Sequence, residues 1–470
     1  MRTGVINSKT FFDAGMRIDP DVHLSEGSII RNELKHLPYQ LSTVGENAAD
    51  VFYGNIFSRI FVQNPVHGMP YLVASDTVLA NLDTGRYLSK NQAAELSYLI
   101  LQKDCILVTC SGTLGNVTYT NKNFENHIAT HDLIRIIPNS KKVNKGTLYA
   151  FLAGKFGYYQ ITQSQFGGVV KHINTDQTKS IIVPVFTADF QQEVDSMIQR
   201  SARLREESEK ELTQAQELLK EKAYLPELTP DDYDFYGSSI YGRTVSTFSL
   251  NKREISSLSI NAFNFSQRIR NLESKINGPC YKLEDVLLGG SFFSTGSFPR
   301  VEVKKGNGIM LINQSDIFNR IIDGKYISKR GVKTDNLVEY GEVMIAGVGT
   351  LGENETFCRT IFANEDLVGQ LVSGEFLRMK TNGKVPAGYL YAWLSSDYGF
   401  RIIRSTQTGT KLCRPIQKLL LQKPIPIIDI EAMNEIDKIV REAHTKRHQA
   451  NKLELEAIAK VEQEIEKWNK

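Results

Sequence analysis

The sequence contains two copies of one distinctive stretch. Residues 146–168 read GTLYAFLAGKFGYYQITQSQFGG, and residues 388–410 read GYLYAWLSSDYGFRIIRSTQTGT, 242 positions later. Between residues 146–184 and their counterparts, ten of 39 positions are identical, whereas unrelated segments of that length share only about two or three. The identical pairs include Gly146/Gly388, Tyr149/Tyr391, Gly157/Gly399, Gln165/Gln407 and Pro184/Pro426. The sequence therefore indicates an internal repeat.

The repeat extends well beyond this stretch. Shifts close to 242 match GRYLSK at 85–90 with GKYISK at 324–329, and GTLG at 112–115 with GTLG at 349–352. We therefore expect one unit of about 240 residues, duplicated in a single chain.

Two long segments without Gly or Pro follow the repeated stretches. Ala188–Lys222 and residues 429–470 are rich in Glu, Gln, Lys, Arg, Ala and Leu, and their apolar residues recur mostly at three- and four-residue steps. Each segment predicts a long helix with an apolar stripe that needs a partner helix. The two segments carry 14 basic and 19 acidic residues, so the net charge of +3 becomes +8 outside them.

Length and composition set outer bounds on the function. At 470 residues, 41% hydrophobic and 23% charged, the chain suits about two to four globular domains. No run approaches 18 uncharged apolar residues and the N-terminus lacks a secretory signal, so we expect a soluble cytoplasmic protein without a membrane partner. The cysteines are scattered singly, which favours neither disulfides nor zinc.

Short β-branched runs bounded by Gly, Pro and Asn predict strands in each unit. These runs are residues 105–109, 133–137, 181–183, 342–345 and 425–428. Residues 148–161 and 390–403 instead place apolar side chains at three- and four-residue steps, which predicts helices. We expect an α+β fold of two tandem repeats, each a β-rich globule followed by one long helix.

One motif suggests a dinucleotide site. Gly347, Gly349 and Gly352 form GxGxxG after a strand-like run. The first copy has Cys110 at the place of the leading glycine, and the residues after Gly352 are poor helix formers. A tight turn that both copies need is the better interpretation.

A second motif resembles a metal-dependent nuclease. Asp285 with Glu302 and Lys304 could supply two carboxylates and a lysine. The 242-residue shift puts Ile60 and Val62 at the places of Glu302 and Lys304, so an exposed edge strand explains this pair better. Walker, HExxH and GxSxG motifs are absent, and the eight histidines show no ligand spacing. We therefore expect no catalytic group, metal or cofactor in this chain.

A duplicated β-rich globule followed by a long helix, without an enzyme motif, resembles the specificity subunit of type I restriction-modification systems. The likeness is carried by the turns at 112–115 and 349–352, by the repeated stretches from Gly146 and Gly388 onward, and by the long helices. It spans nearly the whole chain.

This resemblance implies two target recognition domains, each contacting one half of a split double-stranded DNA site, separated by two helices paired as an antiparallel coiled coil. Such a subunit does no chemistry itself. It pairs with two adenine methyltransferase subunits, which use S-adenosylmethionine, and with motor-nuclease subunits in the full restriction complex. The implied boundaries are 1–187 and 251–428 for the recognition domains, 188–223 and 429–470 for the spacer helices, and 224–250 for the connector.

Candidate DNA contacts are polar or basic residues near the repeated glycine turns, because phosphate contacts orient a protein and base-edge contacts specify the sequence. The candidates are Ser89, Lys90, Thr113, Gln165, Lys171 and His172 in the first unit, and Ser328, Lys329, Arg330, Thr350, Gln407, Lys411 and Arg414 in the second. The Thr and Gln pairs recur in both units, so they suit fixing a loop or touching DNA backbone better than discriminating between bases. Sequence-specific contacts are expected in the non-repeated stretches 55–67 and 291–307.

Three alternatives stay open at this point. The chain could be the DNA-binding subunit of another type of restriction enzyme, which the co-purifying enzyme would reveal. It could be the nuclease considered above, which magnesium-dependent cleavage by the isolated chain would reveal. The long helices could also pair only to space the globules, without binding a methyltransferase.

Overall fold

The computed structural model of the chain describes residues 8–13, 16, 23–62, 64–163, 172–229, 232, 247–252, 255, 257–352 and 355–468. The fold mixes helices and strands. The chain divides into two compact units: Met1–Glu206 with Gln449–Lys470, and Glu207–His448. Each unit therefore contains part of both long helices.

The helices are numbered here in chain order. They are α1 Ser8–Asp13, α2 Glu26–Lys35, α3 Lys90–Glu95, α4 Lys145–Ala153, α5 Lys155–Gln163, α6 Thr175–Lys179, α7 Ala188–Lys222, α8 Gln267–Ser274, α9 Leu283–Val286, α10 Ala387–Ser395, α11 Asp397–Arg404, α12 Gln417–Leu420 and α13 Ile430–Glu466.

The strands are short, as expected for chains with frequent turn residues. They are β1 Gln40–Thr43, β2 Ala48–Phe52, β3 Phe61–Val62, β4 Gly68–Leu72, β5 Tyr87–Ser89, β6 Ile106–Thr109, β7 Val117–Tyr119, β8 Ile128–Ala129, β9 Leu133–Pro138, β10 Ile182–Val185, β11 Cys280–Lys282, β12 Ile309–Ile312, β13 Lys325–Ile327, β14 Val343–Ala346, β15 Thr360–Phe362, β16 Leu371–Val372, β17 Phe376–Met379, β18 Gln407–Thr408, β19 Arg414–Pro415 and β20 Pro424–Pro426.

The first unit is built on two four-stranded sheets. One sheet has the antiparallel order β2-β9-β6-β7, and all four side chains of β6 are buried. The other has the order β3-β5-β4-β8, with β4 and β8 parallel and β3 at its edge. Strands β1 and β10 form a separate antiparallel pair.

The second unit contains related sheets with fewer strands. β14 lies between β15 and β17, antiparallel to both. β12 lies between β13, which is antiparallel to it, and β16, which is parallel. β11 pairs with β20, and the short β18–β19 hairpin follows α11.

Each unit buries residues of both long helices in its core. In the first unit, Val194 and Ile198 of α7 share one hydrophobic cluster with Val461 and Ile465 of α13. In the second unit, Leu219 of α7 shares a cluster with Met433, Ile436 and Val440 of α13. The apolar stripes predicted from the sequence therefore face cores that contain helix and globule together. None of the helices in the described ranges is long and apolar enough to cross a membrane.

Most predicted elements are confirmed, with ends shifted by a few residues. The long helix Ala188–Lys222 has the predicted bounds, and the second long helix ends at Glu466 rather than Lys470. The helices predicted over 148–161 and 390–403 are each two helices, α4 with α5 and α10 with α11, because Gly154 and Ser396 between them are extended. Of the connector 224–250, only residues 224–229, 232 and 247–250 belong to the described residues.

Candidate nucleic-acid interface

In the second unit, a pair of backbone hydrogen bonds joins two segments that are far apart in sequence. The Gly349 N–H donates to the Cys413 carbonyl (3.2 Å) and the Cys413 N–H donates to the Gly349 carbonyl (2.7 Å). This bridge places the exposed Thr350 beside the β18–β19 hairpin, which carries the exposed Lys411 and Arg414. These predicted residues therefore form one surface, called here the turn surface.

The turn at Gly349 is not the start of a nucleotide-binding helix. The strand β14 ends at Ala346, and the described residues 355–359 form bends and turns. A dinucleotide-binding turn leads directly into a helix whose N-terminus faces the phosphates. The interpretation as a tight turn is the one that fits.

Gln407 does not belong to the turn surface. It is 6% exposed, and its backbone carbonyl accepts a hydrogen bond from Asn264 Nδ2 (2.9 Å). A buried amide has no access to DNA in this conformation. Its side-chain oxygen Oε1 has no hydrogen-bond partner among the described residues, so the loop-fixing role that its recurrence favoured stays a prediction.

The first unit has the corresponding bridge, between Ser111 and His172. It brings the exposed Thr113 near the half-buried His172. The turn contains two glycines in the left-handed region, Gly112 at φ +73° and Gly115 at φ +87°, a conformation that favours glycine. The candidates Gln165 and Lys171 lie outside the described residues.

The remaining candidates lie at the opposite end of the neighbouring sheet. In the second unit, Ser328, Lys329 and Arg330 follow β13, whose last residue Ile327 pairs with the first residue of β12. The other end of β12 leads to Gln314, whose side chain bonds the backbone of Val348 next to the turn surface. Ser89, the last residue of β5, and Lys90, the first residue of α3, hold the corresponding place in the first unit. The structure thus separates the predicted residues into two groups in each unit.

The exposed basic candidates have no compensating acid nearby. Among the described residues, no carboxylate lies within ion-pair distance of Lys90, Lys329, Arg330, Lys411 or Arg414. Unpaired, exposed cations are available to bind phosphate oxygens.

Each unit also contains a buried arginine that was not among the predicted residues. Arg378 in β17 is fully buried, and its guanidinium donates to both carboxylate oxygens of Glu342 at 2.9 Å. Arg135 in β9 is 2% exposed, and it donates to carbonyls such as that of Ala129 (2.9 Å). Burial lowers the pKa of Arg135 to about 10. A sequence signal existed, because both strands place one arginine within an apolar run, LIRII and FLRM.

The three residues of the nuclease hypothesis have separate partners or none. Asp285 Oδ2 accepts from the Lys282 backbone N–H (3.0 Å) at the start of α9, and Glu302 pairs with Lys325 (2.5 Å). Within the described ranges there is no group of three or more His, Cys, Asp and Glu side chains that could hold a metal ion. The contacts of Asp285 and Glu302 are those of a helix cap and an exposed edge.

Comparison with protein families connects this geometry to a function. Residues 56–215 match the family model described as the type I restriction modification DNA specificity domain. The chain contains a type I restriction-modification DNA specificity domain. This match confirms the resemblance drawn from the repeated sequence. The specificity domain begins just before β3, includes the turn with Thr113, and ends within α7.

Three solved structures cover most of the chain at low similarity. The type I restriction-modification S subunit from M. genitalium is 11% identical, with a TM-score of 0.35, covering 92% of this chain and 96% of that one. The HsdS subunit from Thermoanaerobacter tengcongensis is 12% identical, with a TM-score of 0.28, covering 91% and 97%. A structure described as the basis of complex assembly and conformational transition of the type I R-M system is 12% identical, with a TM-score of 0.28, covering 91% and 98%. No curated protein sequence matches the chain significantly. TM-scores this low establish no common fold, so the family match depends on residues 56–215.

Proposed function

We propose that this chain is the DNA-recognition subunit of a type I restriction-modification complex, with two target recognition domains that each contact one half of a split site. The observation that supports this proposal most strongly is the match to the specificity domain at 56–215, together with a second unit of related secondary structure. In this proposal residues 1–187 and 251–428 are the recognition domains, and the chain itself is not catalytic.

Equal strand register supports the duplication. In the first unit β6 pairs with β9 so that Leu107 is opposite Arg135, and in the second β14 pairs with β17 so that Met344 is opposite Arg378. The strand on the other side of the central strand also matches: in β6–β7 Ile106 is opposite Tyr119, and in β14–β15 Val343 is opposite Phe362. Register is set by which face of each strand is buried, so a shared register means a shared core design.

The globules also contact their long helices through equivalent hydrogen bonds. The Gly146 N–H donates to Asp195 Oδ1 of α7 (2.7 Å), and the Gly388 N–H donates to Asp437 Oδ1 of α13 (2.6 Å). A Cβ at either glycine would lie 2.7 Å from that oxygen, which accounts for the two matching glycines.

A second equivalent contact lies one to two turns further along. Asn121 Nδ2 donates to the Ala202 carbonyl of α7 (3.3 Å), and Asn364 Nδ2 donates to the His444 carbonyl of α13 (3.2 Å). Both contacts repeat with offsets of 242 or 243 residues, the period of the sequence repeat.

The same proposal makes the long helices an antiparallel coiled coil. In the first unit Glu193 of α7 pairs with Lys460 of α13 (2.7 Å), and Arg205 pairs with Glu454 (2.8 Å), so partners fall in number along α13 as α7 advances. In the second unit Arg447 pairs with Glu209 (3.0 Å), which continues the trend. We assign to this pair of helices the spacing of the two recognition domains and the binding of two methyltransferase subunits, with motor-nuclease subunits in the full complex.

The proposal is tested by mapping methylated adenines in the genome of a strain with and without this gene. We expect one split motif to lose methylation on deletion and to regain it when the wild-type gene is restored. The purified chain alone should transfer no methyl group to that motif, and should direct transfer only with its cognate methyltransferase subunits present. An unchanged methylation map, or methyl transfer by the pure chain, would contradict the proposal.

A further inference from the structure

The second unit carries a strongly basic sheet edge. Residues 299–333 contain eight basic and three acidic residues, whereas the corresponding residues 58–92 of the first unit contain three basic and two acidic. Most of the cations lie on two segments, 300–305 and 325–333, and are exposed. We call the two segments together the basic edge.

Hydrogen bonds fix how the two segments lie. The Ser328 N–H donates to the Val301 carbonyl and the Val303 N–H donates to the Tyr326 carbonyl, both at 2.8 Å, so Glu302 is opposite Ile327 in an antiparallel bridge. Two residues to either side of this pair, the same register places Arg300 opposite Lys329 and Lys304 opposite Lys325. The segment 299–305 is thus the outermost strand-like part of this sheet.

Few of these cations are neutralised within the unit. Glu302 pairs with Lys325 at 2.5 Å, and Asp323 lies 3.8 Å from Lys305. For Arg300, Lys304, Lys329, Arg330 and Lys333, the described part of the chain offers no carboxylate within ion-pair distance. Like charges directly opposite each other destabilise a strand pair. The facing cations therefore destabilise this edge, and an external anion bound between them would offset that loss.

The corresponding edge of the first unit has a different character. β3 holds the same place, with the Ser89 N–H donating to the Ile60 carbonyl at 2.8 Å. It exposes two large apolar side chains, Ile60 at 59% and Phe61 at 51%, and one cation, Arg59, whose Nε donates to the Tyr71 hydroxyl (2.7 Å). The charge of the basic edge is therefore a property of the second unit and not of the repeated framework.

We propose that the basic edge binds the phosphate backbone of the half-site contacted by the second unit, an inference that rests on the proposed function. From Arg300 to Lys304 the strand spans about 14 Å at about 3.4 Å per residue, which is about four nucleotides of DNA rise. Protein interfaces are built around an aromatic and apolar centre, whereas DNA interfaces are rich in positive charge. The basic edge exposes one large apolar side chain, Val301, between cations, so the edge fits DNA better than a protein partner.

The test compares salt dependence of DNA binding in matched variants of the assembled complex. The test variant is Lys304→Gln with Lys329→Gln, and the control is Lys252→Gln with Lys384→Gln, which removes two exposed lysines elsewhere in the second unit. Affinity for a duplex with the mapped site and for an unrelated duplex is measured at several salt concentrations. Because each phosphate contact contributes about 0.9 to the slope of log affinity against log salt, the test variant should lose about 2 from the slope. The control should keep the wild-type slope.

The outcomes separate this inference from the proposed function. A lower slope with equal weakening on both duplexes supports phosphate binding by the basic edge. Specific binding with an unchanged slope, or weakening on the mapped site alone, would overturn the inference and leave the proposed function standing. Absence of sequence-specific binding by the wild-type complex would overturn both.

Discussion

The two units bury an arginine at the same register position but give it different partners. In the second unit Glu342, which immediately precedes β14, supplies a carboxylate to Arg378. In the first unit the residue before β6 is Cys105, whose thiol pKa burial raises to about 12, so it carries no charge at neutral pH. Arg135 there is held by carbonyls, and its Nε has no hydrogen-bond partner among the described residues.

What the two arginines share is the backbone that they hold. Arg378 donates to the carbonyls of Asn336 (3.0 Å) and Leu337 (2.6 Å), and Arg135 donates to the carbonyl of Leu99 (3.4 Å), which lies at the corresponding place before the central strand. In each unit the arginine thus ties the backbone segment that contains Leu99 or Leu337 to the sheet. The carboxylate is an addition of the second unit.

The largest expected effect follows from removing that carboxylate. Glu342→Ala leaves Arg378 buried and unpaired, which should cost the second unit about 3–5 kcal/mol. The corresponding change Cys105→Ala should cost the first unit only about 1 kcal/mol. Urea unfolding followed by fluorescence of the buried Trp393, in a Trp468→Phe background, reports the second unit; hydrogen exchange of β6 reports the first.

A double replacement serves as the control for this pair. Glu342→Met with Arg378→Met should recover part of the loss, because no unpaired charge remains. Recovery is incomplete because the carbonyls of Asn336 and Leu337 lose their donor. Equal losses for Glu342→Ala and Cys105→Ala would mean that the two units do not differ in the way described.

An intermediate effect should be the same in both units. Gly146→Ala and Gly388→Ala each place a Cβ 2.7 Å from the aspartate oxygen on the long helix, which should cost about 1–3 kcal/mol. Gly374→Ala is the matched control, since no atom lies within 4 Å of its Cβ position, and it should change stability by less than about 0.5 kcal/mol. Hydrogen exchange of α4 and α10 measures the stability of the two units. A large loss of stability in one unit and none in the other would show that the two glycine contacts are not equivalent.

The smallest expected effect is a pH dependence of stability that only the second unit should show. His444 packs between Phe362 and Tyr391, at the position that Ala202 holds in the first unit. Burial, with Arg447 nearby, holds its pKa well below 6.5. Unfolded histidine binds a proton near pH 6.5 and folded His444 does not, so stability of the second unit should fall by about 1 kcal/mol between pH 6.5 and 5.5.

The variant His444→Phe should remove this part of the pH dependence. Urea unfolding followed by Trp393 fluorescence at pH 7.5, 6.5 and 5.5 provides the measurement. An identical pH profile in wild type and variant would show that His444 is not the titrating group.

The sequence predicts the elements better than the contacts between them. Local pattern sufficed for α7 and for the five strands, and identical residues such as Gly146 and Gly388 revealed the duplication. Glu342 and Arg378, which pair with each other, are 36 residues apart, and the buried Gln407 accepts a hydrogen bond at its backbone carbonyl from Asn264, so neither contact follows from local pattern. Lys329 and Arg330 were candidates from the sequence, but only the structure shows that they share one sheet edge with Arg300 and Lys304 and that no acid of the described residues pairs with them.

The central claim is that each unit contacts one half of a split DNA site and that the long helices set the gap between the halves. The direct test inserts seven residues into each long helix at the unit boundaries, after Glu206 and after His448, so that helix pairing within each unit is preserved. Seven residues add about 10 Å of helix, or about three base pairs. Mapping methylated adenines should then give the same two half-sites with a gap about three base pairs longer. An unchanged gap, or altered half-site sequences, would contradict the account.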